Sequence, residues 1–444
     1  MISDNIAVNA SSPLWVAGRN GLTTTAVARG NSIVYMADSR NAAKYLDPVK
    51  RNKSSTGWMN WMEGFLRGMG KPLNVLGTVA FSGSRTDEWI KNQLEAAIAL
   101  KPQFICLMGY INNVAQQYPT AATVVAQTVA DLKTIFNRIN DAGITVIYLA
   151  ERGANNFTTT HLSQMNDINK QVSDYINYGD ASRQPPNVIH IDQSVVMNVA
   201  SANGTVSLKN AYDGTHDNTP GSKALGYFAA VKLAPYLREL PGHRMRNVSQ
   251  SKSGLGARSM NTVAGFAGSA PVTGAGNTGN APLNIITKAP GAGVSVTYSI
   301  QATTPDADGN TWGNEMKVVA TSTGAGSFGF YASLDRTPVA LGGWVHAGME
   351  IDVTQATAVS GVYADTEWFP ATGSTGPFYD LIPPTGAFGT IDTANMTNFV
   401  MEPDPMPITE FTGTPYTNLA LNVSFNAAGS ITLLTRKWWA EFRK

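Results

Sequence analysis

Five short apolar runs constrain this chain more than any other feature. They are "SIVYM" (32–36), "NVLGTVAF" (74–81), "QFICLM" (103–108), "ITVIYLA" (144–150) and "NVIHID" (187–192). The segments between them carry apolar residues at helical spacing. Trp58, Trp61, Met62 and Phe65 precede a Gly70-Lys71-Pro72 breaker, and Trp89, Ile90, Leu94, Ala97 and Ile98 share one face. Val125, Val129, Leu132, Phe136 and Ile139 recur at intervals of three and four, up to Gly143. A polar helix is expected over 160–178, and a last one from Thr219-Pro220, a cap residue followed by proline, with Ala224, Phe228 and Val231 on its apolar face. A short run that is apolar throughout suits a strand covered on both faces. Such strands alternating with helices predict a parallel, doubly wound α/β/α sheet, in which function gathers at the carboxyl ends of the strands.

The pattern changes in the second half. Residues 241–282 are rich in Gly, Ala, Ser and Thr and lack helical periodicity, as a linker does. From 283 onward the chain offers short β-like runs separated by turn signals, among them "VSVTYSI", "SFGFYASL", "MEIDVTQA", "GVYADTEWF", "LALNVSFN" and "SITLLTRKWW". They predict an all-β, jelly-roll-like sandwich. The expected plan is an N-terminal extension (1–29), an α/β domain (30–240), a linker (241–282) and a β-sandwich for carbohydrate binding or assembly (283–444). Charge supports the division: residues 259–435 hold three Lys and Arg against thirteen Asp and Glu, although the whole chain has a net charge of +1.

Composition removes several function classes. No dense basic stripe is present, so nucleic acid is not an expected partner. No run approaches the ~18 apolar residues of a membrane span. The N-terminus shows no signal-peptide pattern, so a soluble, cytoplasmic protein is the default. Cys106 is the only cysteine and sits in an apolar run, which leaves no intrachain disulfide and no cysteine-based zinc site. No His/Asp/Glu cluster has metal spacing, and no metal or cofactor is expected.

The strand ends carry the chemistry. The first strand stops at Asp38-Ser39, which reads either as a turn or as a presented nucleophile. The second is followed by "SGSRT" with Gly83, the third by "GYINNV", and the fifth by "YDGTHDNTPG" with Asp213 and His216. A serine hydroxyl needs a nearby base, and the base needs an orienting partner. His216 can be that base, with Asp213 three residues earlier to fix its tautomer. Acyl transfer also needs donors for an oxyanion. The N–H groups of Ser39 and Gly83 and the side-chain amide of Asn112 can supply them.

Ala37-Asp38-Ser39, Gly83, Gly109…Asn112 and Asp213-Gly214-Thr215-His216 together resemble the four conserved blocks of the SGNH (GDSL-type) hydrolases, over residues 30–240. The resemblance implies a flavodoxin-like three-layer fold. It implies Ser39 as nucleophile, His216 as base, Asp213 as its orienter, and Ser39, Gly83 and Asn112 as the oxyanion hole. Two departures stand out. Ala37 replaces the glycine before Asp, and Gly-x-Asn-Asp is stretched to Gly-Tyr-Ile-Asn-Asn, so the oxyanion asparagine is Asn112 or Asn113. Ser39 lacks Gly-x-Ser-x-Gly surroundings, against an α/β-hydrolase elbow.

Further residues have a structural and a functional reading. Tyr110 is expected to line the cleft, and Glu151, with Arg152, either contacts substrate or belongs to a salt-bridged loop. His190 reads as a core residue and His161 as a surface residue near a helix start. The tryptophans of the β half (Trp312, Trp344, Trp368, Trp438, Trp439) are core or sugar-stacking. The expected activity is a serine esterase, a carboxylic-ester hydrolase that removes O-acetyl or similar small acyl groups from a carbohydrate. The low charge and Gly/Thr-rich β region also resemble phage tail fibres and tailspikes. That likeness implies a virion-associated homotrimer acting on an acetylated bacterial surface polysaccharide. The rivals are a lipid or thioester hydrolase and a non-catalytic glycan-receptor-binding tail protein.

Overall fold

Each apolar run of the first half becomes a strand: β1 (Asn31–Ala37), β2 (Leu73–Thr78), β3 (Phe104–Met108), β4 (Thr145–Ala150) and β5 (Val188–Asp192). All neighbouring pairs are parallel, in the order β2-β1-β3-β4-β5. This is the flavodoxin-like order, and its reversal point lies between β1 and β3. Every residue of β3 is buried, as a strand covered by helices on both faces requires. The structure is a computed structural model. It describes residues 31–37, 45–47, 52–200, 206–208, 214–239, 266, 268–303, 313–369, 375–383, 389–409 and 416–443.

The helices are α1 (Trp58–Gly68), α2 (Thr86–Asn92), α3 (Leu94–Ala99), α4 (Ile111–Ala115), α5 (Val124–Asp141), α6 (Thr159–Tyr178), α7 (Ser194–Met197) and α8 (Thr219–Leu233). On α5, Val129, Leu132, Phe136 and Ile139 form the buried stripe that their spacing predicts. Phe136 meets Tyr148 of β4 edge-on at 5.2 Å, and His190 of β5 stacks on the same tyrosine at 5.7 Å. His161 lies at the third position of α6, where it exchanges capping hydrogen bonds with Thr158. The cap of α8 is Asn218, one residue before the expected Thr219; its Oδ1 accepts the Gly221 N–H at 3.0 Å.

The chain contacts divide into two units, Met1–Ala43 with Leu73–Arg238, and Lys44–Pro72 with Glu239–Lys444. Thus α1, which its pattern places among the α/β helices, packs within the second unit. Trp61 and Phe65 meet Phe399 at centroid distances of 5.4 and 4.9 Å. A Cβ on Gly64 would lie 2.3 Å from the Phe399 ring, so glycine permits this approach. Beneath α1 a buried charge network closes the contact. Lys53 Nζ donates to the Glu402 carbonyl at 2.8 Å and lies 3.2 Å from Asp404 and 3.6 Å from Glu63, while Arg67 pairs with Glu63 and Glu402.

The rest of the second unit is all-β. Its strands are β6 (Ala270–Pro271), β7 (Asn277–Ala281), β8 (Ile285–Thr287), β9 (Val294–Ala302), β10 (Asn314–Ser322), β11 (Gly326–Ser333), β12 (Trp344–Phe369), β13 (Thr375–Asp380), β14 (Phe399–Met401), β15 (Met406–Pro407) and β16 (Tyr416–Arg443). Strand pairing therefore begins at Ala270, inside the segment expected as linker. The strands join one branched sheet, β6-β7-β9-β10-β16-β11-β8, with β12 paired to β13, β14, β15 and β16. In β9 the alternation is plain: Val294, Val296 and Tyr298 are buried while Ser295, Thr297 and Ser299 face out. Trp344, Trp368, Trp438 and Trp439 are core residues, Trp438 stacking on Phe330 at 5.7 Å. Trp312 lies outside the described residues.

Candidate active site

The carboxyl ends of β1 and β3 lie side by side, with Ala37 in register with Met108. Ser39 follows Ala37 by two residues in sequence; Ser39 and Asp213 both lie outside the described residues. The other candidates are described. Gly109 turns the chain out of β3 at φ +63°, its N–H donating to the Leu149 carbonyl at 3.1 Å. The turn puts α4, and Asn112 with it, beside the segment that leaves β2.

That segment is fixed by Ser84. Its hydroxyl donates to the Phe81 carbonyl at 2.9 Å and accepts from Trp89 Nε1 at 3.0 Å and Gln93 Nε2 at 3.1 Å, which uses its full capacity. Gly83, one residue earlier, has φ +74° with nothing within 4 Å of an added Cβ, so its backbone conformation, not crowding, calls for glycine. The α4 side chains grip this turn: Asn112 Nδ2 donates to the Ser84 carbonyl at 3.1 Å, and Gln116 Nε2 to the Gly83 carbonyl at 3.4 Å. Gly83 and Asn112 are thus held together, as donors aimed at one oxyanion would have to be.

The two asparagines of "INNV" do different work. Asn113 is buried and spent on structure. Its Oδ1 accepts the Thr86 N–H at 3.0 Å, and its Nδ2 donates to Thr86 Oγ1 at 2.7 Å, which caps α2 from outside. Thr86 Oγ1 in turn donates to Asp131 at 2.7 Å. Asn112 is only partly buried.

Tyr110, expected to line the cleft, is turned into the core instead. Its hydroxyl lies 2.9 Å from the Met165 carbonyl and 2.7 Å from Asn169 Oδ1, and burial raises its pKa well above the usual tyrosine value. Glu151, the other expected substrate contact, is also fully buried; its Oε1 accepts the N–H groups of Arg152 at 2.9 Å and Gly153 at 3.2 Å. It shapes the loop after β4.

His216 is partly exposed on the segment that enters α8. The loop after β4 fastens that segment. Asn155 N–H donates to the Gly214 carbonyl at 2.8 Å, Arg152 Nη2 donates to the Thr215 carbonyl at 2.9 Å, and the same nitrogen lies 2.6 Å from Asp217 Oδ1. Arg152 Nη1 donates to Gln193 Oε1 beyond β5 at 3.2 Å. The sequence marked Arg152 only as a neighbour of Glu151, and gave no sign of Asp217 or Gln193. Among the described residues no group of three or more His, Cys, Asp or Glu is placed to hold a metal ion.

No family model matches this chain, and no curated protein matches it. Similar solved structures exist. One is an acetyl-xylooligosaccharide esterase from Geobacillus, 16% identical, with a TM-score of 0.37, covering 48% of this chain and 99% of that one. Another is a lipase/acylhydrolase from Enterococcus faecalis, 18% identical, with a TM-score of 0.35, covering 47% and 98%. A third is a GDSL-like lipase from Bacteroides thetaiotaomicron, 15% identical, with a TM-score of 0.34, covering 50% and 99%. Each likeness spans about half of this chain and nearly all of the other protein.

Proposed function

We propose that the chain is a serine esterase of SGNH type that removes O-acetyl or similar small acyl groups from a carbohydrate. The observation that carries this reading is the joining of Gly83 and Asn112 at the reversal point of the sheet. That is the crevice where open α/β sheets take their ligands, next to the strand that leads to Ser39. In the proposed reaction Ser39 Oγ attacks the acyl carbon while His216 takes its proton and Asp213 holds the imidazole. The carbonyl oxygen becomes an oxyanion held by the N–H groups of Ser39 and Gly83 and by Asn112 Nδ2. Collapse breaks the C–O bond to the sugar, whose oxygen receives the proton from His216. Water, deprotonated by His216, then releases the acid and restores Ser39.

The carbohydrate half of the proposal rests on the appended all-β unit, a fold-level analogy. We read that unit as a jelly-roll-like module for glycan binding or assembly. With the low charge of the chain, it also suggests a homotrimeric phage tail component facing an acetylated polysaccharide. The test compares p-nitrophenyl acetate with a long-chain ester, with and without Ser39→Ala, and then measures acetate release from a panel of acetylated bacterial polysaccharides. Short-chain hydrolysis lost in Ser39→Ala, with acetate released, is expected. Preference for the long chain would favour a lipid hydrolase, and glycan binding without ester hydrolysis would favour a receptor-binding module.

A further inference from the structure

We infer that Arg152 is a positioning residue that sets the proposed base, His216; the inference rests on the esterase reading above. Its guanidinium is fully buried and touches the residues on either side of the histidine. One nitrogen, Nη2, reaches the Thr215 carbonyl at 2.9 Å and Asp217 Oδ1 at 2.6 Å. The Thr215 carbonyl belongs to the peptide plane that also carries the N–H of His216, so holding that oxygen orients the backbone entering the histidine. The Asp217 contact fixes the chain leaving it. Gln193 Oε1, 3.2 Å from Nη1, stops the planar guanidinium from rolling. Asn155 N–H on the Gly214 carbonyl, at 2.8 Å, anchors the segment one residue further back, where Gly214 runs at φ +81°.

The cluster is poorly built for stability alone. Arg152 Nε, Gln193 Nε2 and Asp217 Oδ2 are buried with no hydrogen-bond partner among the described residues. Buried ion pairs of this kind are often matched or bettered by apolar residues of the same volume. What the guanidinium supplies, and an apolar side chain would not, is a fixed path through residues 215–217. A reacting group displaced by about 1 Å can cost on the order of 10²-fold in rate.

The experiment uses the full chain and p-nitrophenyl acetate. It compares Arg152→Met, Arg152→Lys, His216→Ala and the His216→Ala/Arg152→Met double variant in kcat, KM and melting temperature. Arg152→Met is expected to lose about 10- to 100-fold in kcat with KM within about twofold. In the His216→Ala background the same substitution is expected to cost less than about twofold, because a positioning residue has nothing left to position. A purely structural role would lower activity equally in both backgrounds, and that result overturns the inference. Should Arg152→Met fail to fold, Arg152→Lys decides. It keeps the cation for Asp217 but its shorter head cannot also hold Gln193 and Thr215, and kcat equal to the parent's would refute the positioning role. Parental kcat in Arg152→Met with an inactive His216→Ala refutes Arg152 alone. Parental kcat in His216→Ala removes the esterase reading and this inference together.

Discussion

Replacing Lys53 with methionine tests the unexpected membership of residues 44–72 in the second unit. Lys53 is 1% exposed, and its ammonium has the Glu402 carbonyl at 2.8 Å, Asp404 at 3.2 Å and Glu63 at 3.6 Å. Burial alone would lower its pKa, but Asp380, Asp404 and Glu63 outweigh that and hold it above the usual lysine value. Its contribution is therefore fully present below the unfolded pKa and is lost only in strong alkali. Methionine fills the stem but leaves the carboxylates without their cation, and breaking a buried pair from one side typically costs about 3–5 kcal/mol. Burial already raises the Asp380 pKa. A carboxyl with a raised folded pKa favours folding below its unfolded pKa and loses that support as pH rises through the folded one. The variant's deficit should thus be largest at neutral pH and shrink on acidification. Urea unfolding followed by tryptophan fluorescence reads the right unit, since seven of the nine tryptophans belong to it. A midpoint at pH 7 within about 0.5 kcal/mol of the parent, the range of ordinary surface substitutions, would refute the buried network.

Three further outcomes are expected. Asn112→Ala should lower kcat by about 10²–10³ with little change in unfolding. Asn113→Ala should instead cost about 1–3 kcal/mol of stability by stranding the Thr86 N–H, read as a shift in the urea midpoint. Burial, followed by the neighbouring Glu367, pushes the Asp365 carboxyl up to about 7, so stability drawn from its neutral form is lost as pH rises through that value; Asp365→Asn should flatten the urea midpoint between pH 5 and pH 8, each taken as about one unit either side of neutrality. A fragment ending at residue 240 retains α1 but lacks Phe399, Glu402 and Asp404, and should be poorly soluble by centrifugation compared with the full chain.

The strands of the α/β unit were legible because a buried parallel strand is short, apolar throughout and bounded by breakers. The run 103–108 and the observed Phe104–Met108 differ by one residue. The two long strands were not. Each reads as two runs split by turn-like residues, "AVSG" in β12 and "NAAG" in β16. In the structure these interruptions oppose one another. The register passes from Thr357 with Ser430 to Val359 with Phe425, so a bulge absorbs the turn signals and pairing resumes beyond them. Turn propensity is local, whereas the partner that turns a break into a bulge is some seventy residues away.

The same limit explains the site. Residue types at strand ends announce Ser39, Gly83, Asn112 and His216, because an acyl-transfer centre needs those groups wherever the fold puts them. The groups that hold them in place answer to partners far along the chain. Asn113 meets Thr86, 27 positions away, and Arg152 meets Thr215, 63 positions away. An amphipathic helix likewise states that one face will be buried, not against what. The apolar face of α1 fits an α/β layer as well as it fits Phe399, and only the Gly64 that lets the ring approach and the charges at Lys53, Glu63 and Arg67 separate the two destinations. A lysine, a glutamate and an arginine that become buried need partners of opposite sign. For Lys53 and Arg67 those include Asp404 and Glu402, in the β-rich half of the chain, which makes this stretch of sequence part of that unit although it is threaded between the first two strands of the other.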